Sequence, residues 1–289
     1  MDIAAFLKKA HLPNTEILPL YARLATAEQN KIFSPHSTVR VVLCTNVAET
    51  SLTVPGIKYV IDPGTARISR YSPRTKVQRL PVEKISKASA NQRKGRCGRV
   101  SEGVCVRLYS QEDFLSRPEF TDPEILRTNL AAVILQMVAL HLGNITKFPF
   151  IDPPQMRQVT DGIRLLEEVG AINDAKGKGT DEIELTKIGV ALSKIPADPR
   201  LSRMLVQADK EGALSEVLVI VSALAVMDPR ERPLDKQEQS RQAHHRFDDE
   251  KSDFLSYLNL YKYICDLQTK MSNSALRKRL KTDYISYLR

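Results

Sequence analysis

Apolar and polar positions keep two different rhythms along the 289 residues. In the first third, short apolar runs alternate with helical stretches. The pattern predicts a helix over 2–10 and another over 26–33. It predicts strands at Ile17–Tyr21, Val39–Cys44, Tyr59–Asp62 and Val104–Tyr109, rich in β-branched residues and bounded by turn formers such as Pro63-Gly64. Ser86 is placed to cap a helix over 87–94. Strands separated by helices predict an open, mostly parallel α/β sheet, which binds ligands at the carboxyl ends of its strands. The segments after Cys44 and Ser86 belong at those ends.

Beyond Pro118 the rhythm becomes helical. Thr121-Asp122-Pro123-Glu124 reads as a helix start, the helix running to Leu142 and stopping at Gly143. Pro153-Pro154 opens another, closed by Gly170. The Gly/Lys stretch from Ala175 to Asp181 is a loop, Glu182–Leu185 alternates like a short strand, and Thr186–Ser193 is helical again. Helices followed by a small β wing predict a winged helix. From Pro196 onward the chain reads as helices near 199–211, 213–227 and 250–270, with a polar connector from Asp228 to Asp249. Arg289 falls inside a helical pattern with no capping signal, and both ends read as those of a piece of a longer protein. The expected fold is therefore α/β followed by mostly α, divided at 1–117, 118–195 and 196–289.

Charge narrows the partners. Lys and Arg number 43 against 34 Asp and Glu, a net charge of +9 that suits a polyanion. No apolar run approaches the ~18 residues of a membrane span, and the start has no secretory pattern. The cysteines at 44, 97, 105 and 265 form no CxxC pair, and no histidine has ligand spacing. No metal site and no membrane contact are expected, and the cytoplasm is the natural compartment.

The charge is concentrated. Eleven Lys or Arg and a single acid, Glu83, lie between Arg67 and Arg99. Residues 67–80 read as a hairpin with Pro73 in its turn, placing Arg70 and Arg74 where they can contact a phosphate backbone. A hairpin that is merely solvated has the same composition. The sharpest segment is Gln92-Arg93-Lys94-Gly95-Arg96-Cys97-Gly98-Arg99. If the helix continues, Gln92, Arg96 and Arg99 share one face. Clustered guanidinium groups can clamp a phosphoryl group in its transition state, or bind RNA passively; residue type alone leaves both open.

The spelling goes further. QRKGRCGR resembles motif VI of the DEAH-box helicases, Q-R-x-G-R-x-G-R. Thr45-Asn46-Val47-Ala48-Glu49-Thr50-Ser51-Leu52-Thr53 resembles their motif V. Leu185–Gly189 and Leu192–Leu201 resemble marks of the family's winged-helix and helical-bundle region. The wording is nearest the bacterial HrpA type of the family, and the resemblance covers nearly the whole chain.

That resemblance implies an ATP-dependent RNA helicase with a second RecA-like lobe, incomplete in its parallel sheet, then a winged helix and a helical bundle. It implies that Arg96 and Arg99 are arginine fingers and that Gln92 positions the attacking water. Phe33 would stack on adenine, while Ser51 and Thr53 would couple nucleotide state to the strand. Thr45 and Asn46 would touch RNA, as would Arg23, and the hairpin with Arg70 and Arg74 matches one that many members carry. Pro55 stands where many eukaryotic members have Asp, and Cys97 where Ala is usual.

No G-x-x-x-x-G-K-[ST] loop and no DEAH tetrapeptide occurs in the chain. ATP and Mg would be held mainly by a first RecA-like lobe in cis. Single-stranded RNA is the expected partner, with room for accessory proteins. The chain alone is expected to be inactive as an ATPase, because the phosphate its arginines answer is held elsewhere. Two alternatives remain: a DNA helicase, and a stand-alone nucleic-acid-binding or scaffold protein with vestigial motifs.

Overall fold

The computed structural model describes residues 2–22, 24, 26–50, 52–72, 74–99, 101–173, 180–233 and 236–288. The chain divides into two compact units, one of residues 1–70 and 78–122, the other of 71–77 and 123–289.

The first unit begins with α1 (Asp2–Lys9) and β1 (Thr15–Leu20), then α2 (Thr26–Asn30), a 3-10 turn over Lys31–Phe33, β2 (Val39–Cys44) and α3 (Val47–Thr50). β1 and β2 pair in parallel from Thr15↔Val39 to Leu20↔Cys44. Glu16 and Arg40 are register partners, and Arg40 pairs with the Glu16 carboxylate at 2.7 Å. Arg40 also donates to the carbonyls of Ile32 and Ser34, so one side chain fixes both the register and the turn before β2. Leu18, Leu20 and Ile32 form the small core here, with Val42, Val47 and Leu52 against it.

β3 (Tyr59–Asp62) pairs in parallel with β8 (Val104–Arg107). Between them run β4 (Thr65–Arg67), β5 (Arg70–Ser72), β6 (Val77–Arg79), β7 (Val82–Lys84) and α4 (Lys87–Lys94), with α5 (Gln111–Ser116) following β8. β4 pairs antiparallel with β7, and β5 neighbours β6 in a second two-stranded sheet, so the expected hairpin exists as a longer, interrupted ribbon. Its turn residue Pro73 lies outside the described residues. The Ser86 cap is present: its hydroxyl accepts from the Ser89 N–H at 3.2 Å.

The corner after β3 depends on Gly64. It has φ +74, and a Cβ there would lie 2.6 Å from both the Tyr109 ring and the Arg117 guanidinium. Arg117, nearly buried, stacks on Tyr109 and donates to the Gly64 carbonyl at 2.8 Å. Gly64→Ala is therefore expected to cost about 2–5 kcal/mol, the sum of left-handed backbone strain and overpacking. Urea unfolding measures it; an unchanged midpoint would mean that Tyr109 and Arg117 move aside freely.

The second unit holds α6 (Ala131–Ala139), α7 (Met156–Glu168), α8 (Lys187–Ser193), α9 (Pro199–Lys210), α10 (Leu214–Ala225), α11 (Gln237–His245), α12 (Asp253–Lys270) and α13 (Asn273–Thr282). Leu130, Ile134 and Leu135, with Val159, Leu165, Leu166 and Leu192, make its main core. Phe247, Leu260, Leu276 and Leu280 make a second core toward the chain end.

Four expectations need correction here. The single helix from Thr121 to Leu142 is broken: a 3-10 turn over Glu124–Leu126 precedes α6. The Asn129 side chain accepts from the Ala131 N–H at 2.8 Å, restarting the helix there. Glu182–Leu185 is not a strand; Leu185 makes one antiparallel bridge to Ile172, and Thr180–Glu182 is a 3-10 turn. The loop expected over 175–181 lies mostly outside the described residues. The polar connector contains a helix, α11. The last helix stops at Thr282, where Asp283 receives Tyr263 and Arg279, and Ile285 then bridges to Arg230.

Candidate active site

Motif V begins where β2 ends. Thr45 and Asn46 follow Cys44 at the carboxyl end of the strand, both exposed. The Thr45 N–H donates to the Leu20 carbonyl, extending the ladder by one bond. The Asn46 carbonyl accepts from the Glu49 N–H and so opens α3. This turn holds Glu49 against α4.

Motif VI departs from the expected continuous helix. α4 ends at Lys94, and residues 95–99 form tight turns, with the Arg96 N–H donating to the Arg93 carbonyl and the Cys97 N–H to that of Lys94. Two glycines within four residues deprive the helix of propensity at the point where arginine side chains find carbonyls to bind. Gln92 remains on the helix and is exposed. Arg96 and Arg99 reach motif V from the turn.

Arg96 donates to the Leu52 carbonyl at 2.9 Å and to the Glu49 carbonyl. Arg99 donates to the Thr53 hydroxyl. No carboxylate among the described residues pairs with either guanidinium. Burial pulls the Arg96 pKa down, and the positive charge of Arg99 adds to that pull. The Arg96 Nε is buried without a partner. Two neighbouring cations, tethered by neutral oxygens and ion-paired to no carboxylate among the described residues, are organised to receive an anion.

What holds this turn is Arg93, a residue whose place in motif VI gave it no expected role. Arg93 is largely buried and donates to Glu49 at 3.0 Å and to Asp62 at 2.8 Å. Asp62 is fully buried and also accepts from the Tyr109 hydroxyl at 2.9 Å and the Gly64 N–H at 2.9 Å. The Ser89 hydroxyl donates to Glu49 at 2.6 Å. Burial alone would lower the Arg93 pKa, but the hydrogen bonds of Asp62 and Glu49 raise it overall. Burial first, and then the bond to Asp62, pushes the Tyr109 phenol up to about 12. The web ties α3, α4 and β3 together and sets where the Glu49 carbonyl meets Arg96. Its signal lay in Glu49 and Arg93 themselves, one inside motif V and the other inside motif VI.

The other expected site residues are spread more widely. Phe33 ends the 3-10 turn and is 43% exposed. Thr53 is engaged by Arg99. Arg70 is held by Glu83 and Asp122, whose hydrogen bonds raise its pKa. Arg74 is exposed near the hairpin tip. Arg23 and Ser51 lie outside the described residues. Among the described residues no cluster of His, Cys, Asp or Glu is placed to hold a metal ion, and no helix is long and apolar enough to cross a membrane.

Comparison with known proteins shows what this chain is similar to. Residues 1–101 match the helicase conserved C-terminal domain, and residues 198–257 match the ratchet-like helicase-associated domain HA2. The chain is 62% identical over 292 residues to the ATP-dependent RNA helicase HrpA of Escherichia coli, covering all of this chain and 22% of that protein. The chain thus carries a helicase conserved C-terminal domain and is similar along its whole length to ATP-dependent RNA helicases. The HrpA homolog of Haemophilus influenzae is 60% identical, again over all of this chain and 22% of its own length. The human probable ATP-dependent RNA helicase DHX35 is 37% identical over 88% of this chain and 35% of its own. The crystal structure of E. coli HrpB, a DExH-box NTPase, superposes with a TM-score of 0.65 at 30% identity, over 75% of this chain and 26% of that one. The chain spans about a fifth of the length of the HrpA relatives it matches. Its first unit carries the RecA-like helicase lobe, and the HA2 match falls on α9 to α12 of the second.

Proposed function

We propose that this chain is the part of an ATP-dependent RNA helicase that answers the γ-phosphate of a nucleotide bound by another lobe. The observation that carries the proposal is the pair Arg96 and Arg99, ion-paired to no carboxylate among the described residues and anchored to motif V through Glu49, Leu52 and Thr53. ATP and Mg²⁺ belong to a first RecA-like lobe in cis, and Gln92 orients the attacking water. Phe33 stacks on the base. Ser51 and Thr53 carry nucleotide state to Thr45 and Asn46, which hold the backbone of single-stranded RNA together with Arg23, Arg70 and Arg74. Because Thr53 receives Arg99, a phosphate that draws the arginine away also frees the Thr53 hydroxyl, a direct link between nucleotide and motif V.

The chain is organised as a lobe over 1–117, a winged helix over 118–195 and a helical bundle over 196–289, acting in the cytoplasm with RNA and accessory proteins. Two arms of one assay test this reading. The whole helicase hydrolyses ATP faster with oligo-RNA than with oligo-DNA, and the chain alone shows no turnover while still binding RNA in a salt-sensitive way. Turnover by the chain alone would overturn it. Equal stimulation by DNA would move the substrate.

A further inference from the structure

A second group of arginines lies in the second unit, apart from the motif residues. The hairpin tip and α7 line a groove of about 340 Å³ formed by Arg74, Met156, Arg157, Thr160, Asp161 and Arg164. Arg157, Thr160 and Arg164 fall three and seven residues apart and share one face of α7. The opposite face, with Val159, Gly162, Leu165 and Leu166, is buried in the core, so this face is fixed toward solvent.

The hairpin tip is pinned here. The Tyr71 N–H donates to the Arg127 carbonyl at 2.8 Å, and Lys76 pairs with Glu168. The acid of the groove, Asp161, accepts from the Asn129 amide at 3.1 Å. The Thr160 hydroxyl donates to the Met156 carbonyl at 2.9 Å. Arg74, Arg157 and Arg164 line the groove, and none of the three is ion-paired or hydrogen-bonded to another described residue. Three like charges around one cavity repel each other, and an anion placed between them relieves that repulsion.

We propose that this groove seats a backbone phosphate of single-stranded RNA, with Arg74, Arg157 and Arg164 donating to its non-bridging oxygens. The proposal rests on the RNA reading above and adds α7 to the RNA-binding surface. Guanidinium forks suit phosphate oxygens, and the apolar Met156 at the rim offers a surface to sugar or base.

The experiment titrates fluorescein-labelled oligouridylate with the 289-residue chain and follows anisotropy from about 50 to 200 mM salt. The variants are Arg157→Gln/Arg164→Gln and the charge-keeping Arg157→Lys/Arg164→Lys, each checked for native melting by circular dichroism. The Gln pair is expected to weaken binding about tenfold at the lowest salt and to reduce the salt slope by about 0.7 for each phosphate it no longer neutralises. The Lys pair is expected to keep the slope. If the wild-type chain binds and the Gln pair matches it in affinity and slope, the groove is overturned while the RNA reading stands. If the wild-type chain does not bind at the lowest salt, both fall. A Gln pair that loses only thermal protection by inorganic phosphate, with RNA binding intact, would also overturn it, since the groove would then be a free-phosphate site.

Discussion

Replacing Arg93 by Met is expected to destabilise the chain by about 3–5 kcal/mol, a larger loss than removal of any exposed arginine. The substitution keeps a long apolar stem but removes the cation between Glu49 and Asp62. Asp62 would stay buried with the Tyr109 hydroxyl and the Gly64 N–H, but with no positive charge. A buried carboxylate left without its cation accounts for most of that cost. At roughly 2–4 °C per kcal/mol for a chain of this size, the melting temperature should fall by about 10 °C. Adding Asp62→Asn to Arg93→Met should recover part of the loss, because it removes the stranded charge; a double-mutant cycle reads that coupling. A melt unchanged by Arg93→Met would mean that the web does not hold motif V against motif VI.

Arg99→Ala is expected to lower RNA-stimulated ATP turnover of the whole helicase by about a thousandfold, with nucleotide affinity largely kept. Among the described residues the side chain bonds only to the Thr53 hydroxyl on the surface, so folding loses little. Arg96→Ala should be as damaging to turnover and more damaging to stability. Arg96 donates to two motif V carbonyls in a half-buried position, and its loss removes both bonds. Steady-state kinetics separate the two: kcat falls for both, while the melting temperature drops mainly for Arg96→Ala. A loss confined to KM would instead assign the cluster to ground-state binding.

The elements of the first unit were largely legible, because β2 and β3 are short runs rich in β-branched residues. The helix over 87–94 was legible through Ser86, a local signal. The web around Arg93 was not, since its partners lie 44 and 31 residues away and no periodicity links them. The helix break at Asn129 was hidden because an Asn inside an apolar pattern reads as a polar helix position until its side chain is seen on the Ala131 N–H. Helix α11 was hidden for a different reason. Its buried residues are Ser240 and His244, so it shows no apolar stripe. The motif spelling located Arg96 and Arg99, but the glycines that make motif VI recognisable also end the helix on which those arginines were expected.

The central claim is that Arg99 acts on the transition state of a phosphoryl group. The most direct measurement is the affinity of the whole helicase, with RNA bound, for ADP–aluminium fluoride and for ADP, in wild type and Arg99→Ala. The account predicts that the wild-type protein prefers the transition-state mimic by about a hundredfold or more and that the variant loses this preference while still binding ADP. A variant that keeps the preference would contradict the claim and return the arginine cluster to passive RNA binding.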